Sequence, residues 1–447
     1  MTRTELIVAD HVLVNDDAGT VLSPGAVEVA DGRIVSVARP AARPAGPGVT
    51  DLGASVVMPG LVNAHAHTPM SLMRGTAEGH SLLTMEGFLT VLRSREEHLT
   101  PDMVPASVAV SCGDMIRHGT TAFADQYFYA DEIAPTVERS GLRARIAWGI
   151  VELGDDAARA RELDAAARFA ESLPADGRVS AWVGPHAYFV DNTPEAMAAE
   201  LALARRLDAG LHVHFSTSGE EDAWCLEHYG RPALEVLRDL GMLDVPTILA
   251  HCTTLPADQL PLLAGTRAVM AVIPSVAMMS GVPAAPVREA LDHGVAVALG
   301  SDNVCNNTNT DLFEEMRVLG KLAAFTSRVP NQVTPREILR IATVGGHRAL
   351  AGGPDDGRLV AGAVADLIAV PLAEVARGPV GAQSLEAALV YGTSGASVTH
   401  AMADGNWLMT DRAVHTLDLA AAARRQQDDY DILSSRMTGR RTRETTP

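Results

Sequence analysis

Two histidines spaced two residues apart, His65 and His67 in PGLVNAHAH, are the first residues with evident chemistry. They follow VVMPGLVNA, an apolar strand interrupted by a turn, and on an extended backbone residues i and i+2 point the same way. Both imidazoles can therefore reach one metal ion. A second pair, His212 and His214, ends the run LHVHF. One of them is expected as a third ligand. His214 lies nearer the strand end and is better placed, which leaves His212 to pack or to support a ligand. Asp302 closes VAVALGSD, where a carboxylate can bind an ion and accept a proton from water. Three imidazoles and one carboxylate would leave a position open to water, whose pKa a divalent ion lowers towards neutrality.

The elements that must position these residues follow from the apolar pattern. Between residues 58 and 352, short apolar runs (TTAFAD, RARIAWGI, VSAWVGPH, PTILAHC, AVMAVIP) alternate with segments of helical periodicity such as PEAMAAELALARRLDA. Alternating strands and helices over this length predict a parallel sheet. Most of the strands end on a polar residue that a core strand does not need: Asp125, His186, His214, His251 and Asp302. Side chains gathered at the C-terminal ends of successive strands are the arrangement of a (β/α)8 barrel.

The two ends of the chain differ from the middle. Residues 5–57 alternate apolar and polar residues between turns, and strand character returns after residue 352 in GRLVAGAVADLIAV and ALVYGTSGASVTHAMADGNWLMTDR. The expected organisation is a composite β-sandwich from 1–57 and 353–420, a barrel over 58–352, and a C-terminal helix with a disordered tail over 421–447.

A chain of 447 residues, 47% hydrophobic and 20% charged, can bury a large core. Its net charge of −19 argues against nucleic acid or an anionic membrane as partner. Four cysteines without a CxxC pair, and no leader-like apolar run, suit a reducing, cytoplasmic setting.

The segments MPGLVNAHAHTPMSLMRG, GTTAFADQYFY, GPHAY, LHVHF, LAHCTTL and ALGSDNVCNNTNTDLFEEMR, in this order and spacing, resemble the amidohydrolase superfamily. They are most similar to the branch holding S-adenosylhomocysteine/methylthioadenosine deaminases, triazine hydrolases and guanine-type deaminases. The resemblance spans residues 5–410 and implies a distorted TIM barrel carrying a β-sandwich built from both termini. It also implies that His65, His67, His214 and Asp302 are metal ligands. His251 would polarise the substrate or the attacking water, and His186 would contact substrate. Binuclear members bridge their ions with a carbamylated lysine on strand four. The only lysine here, Lys321, lies beyond Asp302 on an expected helix, so one ion is implied. Zinc suits the donor set, with iron and manganese as alternatives. A homodimer or larger homo-oligomer is implied by the resemblance alone.

Two departures stand out. In the deaminase branch a glutamate three residues after the strand-five histidine carries a proton to the ring nitrogen, whereas this chain has Thr217 there. A threonine hydroxyl is too weak an acid or base for that task near neutral pH. Three readings remain open. Glu220 or Glu221 reaches back into the site; or Asp302 and His251 do all the proton work, as for bonds that need no ring protonation; or the metal site serves a different or much reduced activity. The second departure is HSLLTMEGFLTVLRSREEHLT, which lacks the branch's tryptophan-leucine pair. Glu96 or Glu97 there either meets polar substrate groups or belongs to a solvated charge run.

The expected function is hydrolysis of a C–N bond in a small N-heterocyclic compound, by deamination of an exocyclic amino group. Ring-opening, amide or C–halogen hydrolysis is the alternative that Thr217 favours. A non-catalytic scaffold on the same fold is the alternative of another class. Retention of four ligands and His251 argues against it.

Overall fold

The computed structural model describes residues 4–375 and 384–444, with side chains up to residue 438. Its centre is an eight-stranded parallel sheet whose strands neighbour one another in chain order. These are β1 (Leu61–Ala66), β2 (Thr120–Tyr127), β3 (Arg143–Ile150), β4 (Val179–Pro185), β5 (Leu211–Phe215), β6 (Thr247–His251), β7 (Ala268–Val272) and β8 (Ala296–Leu299). Every residue of β1 and β2 is buried, as expected where helices cover a parallel sheet on its outer face.

The barrel closes beyond the end of β8. The Ser301 and Asp302 N–H groups donate to the His65 carbonyl at 3.2 and 2.9 Å, and Ala66 bridges Asp302 in parallel. Asn63 reinforces the seam: its Oδ1 accepts the Ser301 N–H at 3.0 Å and its Nδ2 donates to Ser301 Oγ at 2.7 Å. The seam between β4 and β5 is thin, with Val183 opposite Leu211 as its one strand pairing. The barrel is therefore distorted, as the resemblance implied.

Both ends of the chain contribute to one seven-stranded sheet. There Ser55–Pro59 pairs antiparallel with Leu367–Pro371 and parallel with His11–Leu13. A four-stranded sheet centred on Thr4–Ala9 and Gly25–Ala30 packs against it through Ile7, Val27, Val57 and Leu367. Ser55–Pro59 runs straight across the expected boundary at residue 57.

Two expectations need correction. ALVYG was expected to be strand but lies in the helix Leu385–Gly392. The Ser384 side chain caps that helix by accepting the Ala387 N–H at 3.1 Å, and a side-chain cap of this kind favours helix over an apolar run's strand propensity. The C-terminal helix runs Leu419–Glu444, so 438–444, expected as disordered tail, continue it; residues 445–447 lie outside the described residues. This helix is anchored by buried Leu433 and by Gln426 Nε2, which donates to Ser71 Oγ at 2.6 Å. Among the described residues no helix is long and apolar enough to cross a membrane.

Candidate metal centre and active site

His65 is the penultimate residue of β1 and His67 directly follows that strand, His214 is the penultimate residue of β5, and Asp302 follows β8. One ligand atom from each of the four lies within 4.8 Å of all the others. Asp302 Oδ1 stands 3.3 Å from His65 Nε2 and 3.1 Å from His67 Nε2, and the Nε2 atoms of His67 and His214 are 3.3 Å apart. The backbone bends sharply to achieve this: Asp302, His251 and Ser216 have φ of 60°, 78° and 54°. Left-handed conformations at non-glycine residues cost of order 1–3 kcal/mol each and collect at functional sites.

The hydrogen bonds behind the cluster show which nitrogens are free. His67 Nδ1 meets the Gln126 carbonyl at 2.6 Å, and His214 Nδ1 meets the His186 carbonyl at 2.8 Å. His65 Nδ1 meets His212 Nε2 at 2.7 Å. A carbonyl only accepts, so Nδ1 of His67 and of His214 carries the proton, and each Nε2 presents a bare lone pair to the centre. Two such lone pairs 3.3 Å apart repel unless a cation lies between them. His65 Nε2 is buried without a hydrogen-bond partner. Three neutral imidazoles, a carboxylate and oriented Nδ1 groups are the donor set of a divalent metal site.

The electrostatics agree at His214 and Asp302 and run the other way at His67, whose proton an ion would have to displace. Burial, then neighbouring imidazoles, hold His214 well below its ordinary pKa. Burial lowers His251 to about 3. For Asp302, burial pushes upward, but the His65 and His67 hydrogen bonds prevail and keep it ionised. For His67, burial pulls down, and the Asp302 carboxylate overrides it to leave the pKa raised.

A pocket opens above the cluster, with His186, Glu96, Thr217, Glu220 and His251 among its lining residues. His251 Nε2 is 3.9 Å from Asp302 Oδ2, and neither of its ring nitrogens has a hydrogen-bond partner. His186 Nδ1 is held by Asp191, whose other oxygen accepts the Ala187 N–H at 2.9 Å. The His186 ring stacks on Phe88 at 4.2 Å. Glu96 is buried rather than solvated: it accepts from the Tyr127 hydroxyl at 2.7 Å and from Arg93 at 3.2 Å.

The two replacement glutamates separate. Glu220 lines the pocket and accepts from Ser218 Oγ at 3.0 Å. Glu221 does not line it; its Oε1 accepts the Ser216 N–H at 2.9 Å, and burial raises its pKa to about 7. Asp125, grouped by sequence with the strand-end residues, is not in the metal cluster. It accepts the N–H and hydroxyl of Thr68 and so fixes the turn after His67. Lys321 is exposed on the helix Leu312–Ser327, apart from the cluster. His212 takes the supporting role left open for it. Gln126 and Asp191 were missed. Gln126 follows strand-end Asp125 and was visible in principle, whereas Asp191 lies in the turn FVDNT with no spacing to mark it.

Comparison with known proteins agrees with this geometry. The model of the Amidohydrolase family matches residues 56–408. A 5'-deoxyadenosine deaminase of Methanosarcina barkeri is 36% identical over 416 residues, covering 91% of this chain and 93% of its own. A 5-methylthioadenosine/S-adenosylhomocysteine deaminase of Nitratidesulfovibrio vulgaris is 33% identical, covering 95% and 96%. The crystal structure of an adenosine deaminase from Xanthomonas campestris with bound zinc superposes with a TM-score of 0.88 at 28% identity, covering 96% and 98%.

Proposed function

The chain belongs to the amidohydrolase family, and from that premise we propose that it deaminates a small nitrogen heterocycle, replacing an exocyclic amino group with oxygen from water and releasing ammonia. The observation that carries this is the cluster of His65, His67, His214 and Asp302, with the ligating nitrogens bare and their Nδ1 partners in place. These four residues would hold one divalent ion. Zinc is the reading, supported by three imidazoles with one carboxylate and by the zinc in the Xanthomonas campestris relative. The ion supplies Lewis acidity that makes water acidic near neutral pH.

The chain's own residues do the rest. Asp302, ionised and 3.9 Å from His251, accepts the proton of the attacking water at Oδ2. His251 hydrogen-bonds the attacking water or the charge that develops on the substrate. His186, held by Asp191 and stacked on Phe88, orients the heterocycle, and Glu96 closes the far wall. Deamination also needs a proton at the ring nitrogen, and Thr217 cannot supply it. Glu220 is the replacement we assign, because it lines the pocket, with its carboxylate held by Ser218 Oγ and the Met85 N–H, whereas Glu221 does not line it. Hydrolysis without ring protonation, such as ring opening or C–halogen cleavage, is the second reading, favoured by Thr217 itself. Cytoplasmic residence and a homo-oligomeric state belong to the same proposal; four buried free cysteines support a reducing setting.

The test is ammonia release from aminated purines, pyrimidines, pterins and triazines by metal-loaded protein. Release from one compound, cut about 10²–10⁴-fold by Asp302→Asn and by Glu220→Gln, is expected for general acid–base groups. Full activity in Glu220→Gln removes Glu220 from the mechanism. No release from any compound moves the assignment to the second reading.

A further inference from the structure

The peptide plane between Ser301 and Asp302 is held on both edges. Its N–H, on Asp302, donates to the His65 carbonyl at 2.9 Å. Its C=O, on Ser301, accepts from Asn307 Nδ2 at 2.7 Å. The peptide is rigid, so its tilt about the N–Cα bond of Asp302 is the φ of that residue, 60°. A left-handed conformation at a non-glycine residue persists where its surroundings over-determine it. The His65 bond belongs to the closure of the barrel, and the Asn307 bond is an addition to it.

Asn307 is itself held. The same Nδ2 donates to Glu315 Oε1 at 3.0 Å. A carbonyl and a carboxylate only accept, so both amide hydrogens of Asn307 are committed and the group cannot turn over. Glu315 lies on the helix Leu312–Ser327 and is fully buried. Its Oε2 accepts the Ser275 N–H at 3.0 Å, a free donor in the first turn of the helix Pro274–Ser280. One carboxylate thus ties the helices after β7 and β8 to the turn that bears Asp302. Neither Asn307 nor the Ser275 N–H is a cation, and a buried carboxylate is costly beside an apolar side chain. A position that had only to fill the core would be better filled by leucine. Neither Asn307 nor Glu315 lines the pocket above the metal cluster.

Resting on the reading of His65, His67, His214 and Asp302 as one metal site, we propose that Asn307 and Glu315 are positioning residues for Asp302. Glu315 fixes the Asn307 amide, and Asn307 fixes the Ser301–Asp302 peptide. The peptide in turn aims the carboxylate, with Oδ1 at the histidine ligands and Oδ2 towards His251. Asn307→Asp removes both donors and sets acceptor against acceptor at the 2.7 and 3.0 Å contacts. The plane is then free to turn, and Asp302 relaxes out of its left-handed conformation and away from the histidines. Glu315→Gln has the same shape, leaves the Ser301 bond in place and loosens the amide that makes it.

The experiment loads the full chain with zinc or with cobalt(II) and compares wild type, Asn307→Asp, Glu315→Gln and Leu319→Ala. Leu319 is buried on the same helix as Glu315 and serves as the control for lost stability. Three quantities are read: the chelator midpoint for zinc, the visible spectrum of the cobalt protein, and Tm of the metal-free protein. In Asn307→Asp the midpoint should move about 10–100-fold in favour of the chelator, with a smaller move in Glu315→Gln. The cobalt bands should shift in both, because Asp302 meets the ion from a changed direction. Leu319→Ala should lose Tm while keeping the wild-type midpoint and spectrum. A folded Asn307→Asp protein with wild-type midpoint and bands overturns the inference; should that variant not fold, the same result in Glu315→Gln overturns it. A Leu319→Ala midpoint displaced as far, at equal loss of Tm, also overturns it, since retention would then follow stability rather than the aim of Asp302. Wild-type protein that takes up neither metal overturns the metal reading and this inference with it, whereas normal uptake with unmoved variants overturns the inference alone.

Discussion

His212 does not touch the proposed ion, yet its replacement should loosen it. His65 Nδ1 and His212 Nε2 are 2.7 Å apart, and both residues are almost fully buried. For His65 to offer Nε2 to an ion, its Nδ1 must carry the proton and His212 must accept it. Burial, followed by repulsion from His65, holds His212 well below its ordinary pKa, so it is neutral and able to accept. His212→Phe keeps a planar ring but removes the acceptor. A buried N–H left unpaired costs about 1–3 kcal/mol, and loss of a partner behind a metal ligand weakens metal affinity or activity about 10–100-fold. The two ranges agree, since tenfold is about 1.4 kcal/mol. The assay is metal content after equilibration against graded chelator, alongside a circular dichroism spectrum to confirm the fold. The chelator midpoint should move about 10–100-fold in favour of the chelator. His212→Gln, whose amide oxygen can accept, should recover part of the loss. A folded His212→Phe protein that holds metal at the wild-type midpoint would refute the assignment of the His65 proton.

Three further outcomes follow from other contacts. Asp191→Asn should raise KM about tenfold or more with metal content unchanged, because it weakens the charged hydrogen bond that holds His186; unchanged KM would detach His186 from substrate. Gly300→Ala would bring a Cβ within 2.8 Å of His65 Cβ and 3.1 Å of its backbone nitrogen, so metal should be retained less well, at an overpacking cost of about 1–3 kcal/mol in stability. Glu221, with a pKa raised to about 7, binds its proton more tightly in the fold than in the unfolded chain. Its contribution is therefore intact below the ordinary carboxylate pKa and is lost as pH rises towards about 7. Glu221→Gln should accordingly raise Tm at pH 8 relative to wild type and change it little at pH 4; a larger gain in acid would reverse the sign of this reasoning.

The fold was legible where one residue type had one explanation. An apolar run that ends on histidine or aspartate, repeated along the chain, is hard to reconcile with anything but side chains converging at one end of a barrel. His65, His67, His214, His251 and Asp302 were all visible on that ground. Asp125 shows the limit of the pattern, since the same strand-end placement serves a turn rather than an ion. Sequence could not separate Glu220 from Glu221, because a backbone turn at Ser216 decides which of them faces the pocket. Asp191 and the stacking of Phe88 on His186 are tertiary facts with no local signature. In ALVYG, strand-forming residues were read without the serine cap that precedes them, and the cap set the outcome.

The seam between β1 and β8 also imposes an order in time. The His65 carbonyl accepts the Ser301 and Asp302 N–H groups, so the closing stitch of the barrel and two of the proposed metal ligands fall on the same residues, His65 and Asp302. During synthesis His65 and His67 emerge early, and they wait for most of the barrel to be made before Asp302 exists to join them. Until then a metal ion would find two or three imidazoles on an open sheet. Tight uptake would thus be a late event that rewards ring closure, and an ion held by these residues would clasp the first strand to the last. Removal of the ion should be felt first at this clasp, with faster amide exchange at β1 and the end of β8 than on the far side of the barrel.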